Sequence, residues 1–252
     1  MIGPAVEIAF AAIAAILAIT LHEASHGYAA LAMGDDTARQ AKRLSLNPIR
    51  HIDRFGTIIL PGLLLLFQLV TIGRVAFMFG WAKPVPVAAW KFRDPRRGMM
   101  AVAAAGPAMN FVLAWLGALA LPRTDAPLPG VLAYLDAVTA AHPLLAAALV
   151  PFITFNLILG LFNLIPIPPL DGGRIAVGLL PIGMARAWAR LERAGILLVL
   201  LVVFVLPALL GEFGIAFDPF RQVLGTVLPW AIHVALNLSG HHLGIAAHEQ
   251  FL

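Results

Sequence analysis

The residues best equipped for chemistry are His22, Glu23 and His26, in the stretch His22-Glu23-Ala24-Ser25-His26. On a helix, positions i and i+4 share a face, so the two imidazoles can close on one metal ion. Glu23 projects beside them, where it can take a proton from a water that the metal activates. In a soluble helix the same pattern is often only a polar face. Here the preceding residues 8–21 carry no charge at all. A charged side chain at the centre of a membrane helix costs about 2.5–3.5 kcal/mol on insertion scales. Such groups are kept where they face a cavity and bind something.

Two imidazoles leave a zinc ion one protein ligand short of the usual three-plus-water catalytic set. Asp171 is the donor that fits. It follows residues 137–170, which hold no formal charge, and closes the run Asn163-Leu164-Ile165-Pro166-Ile167-Pro168-Pro169-Leu170-Asp171-Gly172-Gly173. The prolines deny the backbone its helical hydrogen bonds, and the glycines permit a turn or a close approach. Broken backbone of this kind is tolerated at membrane depth where it lines a cavity. An aspartate capping a following helix is compatible with metal binding. The expected cofactor is one zinc ion on His22, His26 and Asp171, with Glu23 as the base.

The elements that must position these groups follow from composition. Of 252 residues, 61% are hydrophobic and 12% charged, with a mean hydropathy of +0.91. Soluble domains run near 45–50% apolar and about 25% charged. A disordered chain, a coiled coil and a soluble domain are excluded. The pI of about 10.1 and net charge of +4 do not indicate a nucleic-acid partner, because the charges are few and most flank apolar spans. The chain has no cysteine, hence no disulfide, thiolate ligand or cysteine nucleophile. The partner that composition implies is the lipid bilayer.

A helix needs about 20 apolar residues to cross the hydrocarbon core. Residues 8–21 begin a first span that continues to Met33 and stops at Gly34-Asp35-Asp36; it is not read as a removable signal peptide, lacking a basic start. Residues 98–122 predict a second span, 143–170 a third, 194–211 a fourth and 222–238 a fifth. Residues 55–73 are also charge-free. Of the 17 Lys and Arg, however, 11 fall between Arg39 and Arg97, on both sides of this stretch. Positive-inside bias then favours an element that re-enters or lies on the surface. The fold class expected is an all-α polytopic membrane protein. It is a bundle of about five to six transmembrane helices with that re-entrant element and room for short β-strands between the first two spans. It forms one domain, 1–252, with a catalytic core over about 1–190 and accessory spans over 191–252. The charge pattern places it in a cell membrane with the active site toward the cytoplasmic side.

These residues together resemble the site-2 protease family of intramembrane zinc metalloproteases. The likeness covers the H-E-x-x-H helix and the Asn163 to Gly172 run. It extends to Leu46-Asn47-Pro48 with His51-Ile52-Asp53, to Gly80-Trp81-Ala82-Lys83-Pro84-Val85-Pro86-Val87, and to Gly106-Pro107-Ala108-Met109-Asn110, as in compact prokaryotic members. The resemblance implies zinc on His22, His26 and Asp171, catalysis by Glu23, substrate or carbonyl contact by Asn163, and a transmembrane segment of a protein substrate as partner. It implies an edge strand at Trp81–Val87, with Trp81, Lys83 and Val85 contacting an unwound substrate; a plain surface loop is the equal alternative. Departures are the lack of a helix before the metal-binding one and of PDZ or CBS modules. Asn110 and Asn156 read as helix-packing groups. His233, His241, His242 and His248 read as a solvated tail, and His51 and Asp53 as a loop contact or plain surface. The rival function is metal transport through the same three ligands, which predicts further carboxylates or histidines along the spans as stepping sites. Residues 98–122 and 194–211 offer none.

Overall fold

A computed structural model describes residues 2–71, 73, 80–124, 128–215, 223–241 and 243. The principal helices are α1 (Pro4–Ala32), α2 (Arg54–Thr71), α3 (Pro95–Leu119), α4 (Gly130–Ala141) and α5 (Pro143–Asn163). Then come α6 (Asp171–Leu179), α7 (Ile182–Arg190), α8 (residues 195–212) and α9 (Leu228–Leu238). Local chemistry sets the boundaries. Pro95 opens α3, and the Asp94 carboxylate caps it by accepting from the Arg96 and Arg97 amides. α1 ends where Gly34 takes φ +96°, a left-handed conformation that glycine adopts at little cost.

α1, α3 and α5 pack on one another as the central bundle, and α6 lies against α3. Their contact faces are built from small residues: Ala14, Ala18 and Ala24 on α1, and Ala103, Gly106, Ala114 and Gly117 on α3. Small side chains let membrane helices approach closely, since dispersion rather than water exclusion joins them. A second core forms where α3, α4, α5 and α9 meet, around Tyr134, Val138, Ile153, Leu157 and Leu236. Large apolar groups such as Ile16, Leu66 and Phe67 point outward, as a lipid-facing surface requires.

The structure corrects the expected span count. Among the described residues four helices, α1, α2, α3 and α5, are long and apolar enough to cross a membrane. The predicted spans at 194–211 and 222–238 are helical, with π-helical turns at Leu201–Val205 and Val223–Val227 like the one at Arg54–Ile59 that opens α2. Among the described residues Gly225–Leu238 is a shorter apolar helix, and 195–212 is not one of the four helices of crossing length.

The segment at 55–73, read as re-entrant or surface-lying, is a continuous helix of 18 residues with crossing length. Its two flanks nevertheless meet: the Trp81 amide donates to Gly56 O at 3.1 Å and the Lys83 amide to His51 O at 2.8 Å. Chain that leaves α2 has thus returned to its start by residue 81.

The expected short β-strands are absent among the described residues. Trp81–Val87 is irregular chain. Pro84 and Pro86 have no amide hydrogen to give a ladder, and the amides of Trp81, Lys83 and Val85 are spent on Gly56, His51 and Glu23.

His241, expected in a solvated tail, is buried, with Nε2 against Ala118 O and Nδ1 against the Tyr134 hydroxyl. His242 and His248 lie outside the described residues.

Candidate metal centre

The i, i+4 spacing on α1 brings His22 and His26 onto one face, with their Nε2 atoms 3.1 Å apart. The start of α6 brings in Asp171, whose Oδ2 lies 3.1 Å from His22 Nε2 and 3.3 Å from His26 Nε2. All three residues are buried. Leu170 holds the N-cap position and Asp171 follows it as the first helical residue, with its Oδ2 free of any hydrogen bond.

The outer nitrogens decide the protons. His26 Nδ1 is 2.8 Å from Val102 O, and a carbonyl can only accept, so Nδ1 carries the hydrogen. His22 Nδ1 is 2.6 Å from Asn110 Oδ1. The Asn110 amide nitrogen donates to Asn156 Oδ1 at 2.8 Å and to Ala18 O at 3.3 Å, which leaves its oxygen as the acceptor. Both Nε2 lone pairs therefore face inward, toward Asp171 Oδ2, which is buried and takes no conventional hydrogen bond.

Three acceptors crowded without a donor repel one another, and a cation reverses the sign. A tetrahedral zinc site with bonds of about 2.0–2.1 Å sets its donors about 3.3–3.4 Å apart. The observed 3.1–3.3 Å matches. The donor set and its spacing fit zinc.

Neighbouring chain is shaped around this cluster. A Cβ on Gly106 would lie 2.5–2.6 Å from ring atoms of His22 and His26, so α3 can support the imidazoles only with glycine there. A side chain on Gly172 would collide with the carbonyls of Leu164 and Ile165, which explains the tight passage from the proline run into α6. Glu23 is half-buried beside the cluster, and its Oε2 accepts from the Val85 amide at 3.2 Å.

Of the other residues singled out from sequence, Lys83 is exposed and Trp81 packs on Gly56. Asn163 ends α5 with its amide nitrogen on Leu159 O at 3.0 Å. No contact described for the chain joins Asn163 to the His/His/Asp cluster. His51 is buried with Nε2 against Ser45 O at 2.8 Å, and Asp53 caps α2 by accepting from the Phe55 and Gly56 amides. Sequence reasoning missed Asn110, read there as packing; an amide in an apolar span one turn after Gly106 was the available signal. It also missed Asp35, fully buried beyond the end of α1. Burial would raise the Asp35 carboxyl, but hydrogen bonds from Thr37, Ala88 and Lys91 hold it below the ordinary aspartate value.

Comparison with known proteins agrees with the geometry. The profile of Peptidase family M50 matches residues 124–207, which include Asn163 and Asp171. A Bacillus subtilis (strain 168) protein named "Putative zinc metalloprotease YwhC" is 38% identical over 193 residues, covering 76% of this chain and 78% of the relative. The chain belongs to peptidase family M50. It is a zinc metalloprotease of the site-2 protease type, with several apolar helices that make it a multi-pass membrane protein. No solved structure matches the chain.

Proposed function

We propose that this M50 protease is an intramembrane endopeptidase that hydrolyses peptide bonds within transmembrane segments of other membrane proteins. The observation that carries the reading is the convergence of His22, His26 and Asp171 on one point, buried among the helices α1 and α3 that are apolar and long enough to cross a bilayer. One zinc ion held by these three would polarise the scissile carbonyl and lower the pKa of water toward about 7. Glu23 takes the proton of the attacking water and delivers it to the leaving amine as the C–N bond breaks. The Val85 amide holds Glu23 Oε2 and fixes the rotamer from which the base works. Asn110 and the Val102 carbonyl fix the imidazole tautomers, a second layer that typically carries about 10–100-fold in metal affinity.

The segment beside Glu23 makes Trp81, Lys83 and Val85 the substrate contacts we favour, with Asn163, at the end of α5, completing them. Concentration of 11 of 17 basic residues between Arg39 and Arg97 supports a site toward the cytoplasmic side. One unit, 1–252, is the domain we propose, with the catalytic core over about 1–190 and accessory helices after it. The test is where the cut falls. In proteoliposomes carrying a single-span substrate, mass spectrometry of the products should place cleavage inside its apolar segment. Cleavage confined to the soluble flanks would refute an intramembrane peptidase.

A further inference from the structure

The chain from Trp81 to Ala88 forms a belt alongside α1, and its attachments are regular. Trp81, Lys83 and Val85 donate to Gly56 O, His51 O and Glu23 Oε2, and Ala88 donates to Asp35 Oδ2 at 2.6 Å. Two of these four anchors, Glu23 and Asp35, belong to α1 and its C-terminal turn. Asp35 folds back there, its own amide donating to Ala30 O at 2.9 Å. That bond closes the C-terminal turn of α1 about one turn beyond Ala30. Only Pro86 and Val87 separate Val85 from Ala88, so fixing Ala88 restricts where the Val85 amide can sit.

Asp35 is built for more than stopping a helix. Its Oδ1 receives the Thr37 amide at 3.0 Å and hydroxyl at 2.5 Å, which is the local turn. Its Oδ2 is spent on Ala88, 53 residues away, and Lys91 Nζ lies 3.4 Å from the carboxylate. The side chain is 0% exposed. We propose that Asp35 is a positioning residue for proteolysis: it pins the belt so that the Val85 amide stays on the Glu23 carboxylate. This rests on Glu23 being the base.

Asp35→Asn is the test variant. It keeps the shape, yet whichever way the amide turns, an NH2 faces either Thr37 or Ala88, donor against donor. With a single-span substrate in proteoliposomes, kcat should fall roughly tenfold, the size expected when a catalytic group is slightly misplaced. KM should stay within about twofold and zinc content should be unchanged. Val85→Pro removes the amide that Glu23 receives and should lower kcat comparably. The double variant should be no worse than the poorer single, because both act on one contact. Wild-type kcat in Asp35→Asn, a change in KM alone, or losses that multiply in the double variant would each overturn the proposal. Loss of zinc from Asp35→Asn would also overturn it, by making Asp35 a folding residue. Glu23→Gln separates the two readings. Activity retained there removes the base itself, whereas an inactive Glu23→Gln beside a fully active Asp35→Asn removes only the role of Asp35.

Discussion

A histidine offers a metal only the nitrogen that its other contact leaves bare, so the hydrogen bonds behind the ligands matter as much as the ligands. Asn110 is held by three bonds, to His22, Asn156 and Ala18, in a setting where it is fully buried. Asn110→Ala removes the acceptor for His22 Nδ1, and the zinc affinity of the purified protein, read by chelator competition, should fall about 10–100-fold. An unchanged affinity would mean that the imidazole is oriented by packing alone. At this scale the sequence was legible where chemistry is local. The pair His22 and His26 is four residues apart, and one helical turn brings them together. Asn110 reaches His22 across 88 residues, and Val102 reaches His26 across 76. Those contacts depend on which face of α3 meets α1, and only Gly106, whose missing side chain admits the rings, hinted at it.

Helices set where the chain can go, and α2 shows the difference between length and path. Its 18 residues span about 27 Å at 1.5 Å per residue, enough for the hydrocarbon core. Yet its first turn is hydrogen-bonded to the belt: the Thr57 hydroxyl donates to Trp81 O at 2.8 Å, beside the Trp81 amide on Gly56. Both flanks therefore share one end of the element. The chain is free of natural cysteine, so Arg50→Cys and Arg93→Cys, both exposed, can be labelled singly with an impermeant reagent. The two should react from the same face of sealed vesicles; opposite faces would show that α2 crosses and that the chain does not return. Basic residues on both sides of 55–73 are what led sequence reasoning to expect a return. The belt's conformation was not, because edge-strand chemistry and a pinned loop use the same proline-punctuated residues. What separates them is where the amides of Lys83 and Val85 go, and that is a tertiary fact.

For the whole molecule, composition alone specified a polytopic helical membrane protein, and the apolar outer surface agrees. About five to six crossing helices were expected, and among the described residues four have the length and apolarity to cross. The His22, His26 and Asp171 cluster joins α1 to α6, so the fold brings together residues as far as 149 positions apart. The central claim is that one buried centre combines a zinc site on His22, His26 and Asp171 with a separate base, Glu23. Zinc content and cleavage measured side by side on Glu23→Gln and Asp171→Ala test it most directly. The account predicts that Glu23→Gln keeps one zinc per chain and cuts nothing, while Asp171→Ala loses both zinc and activity. Full zinc and full activity in Asp171→Ala, or cleavage by Glu23→Gln, would contradict it.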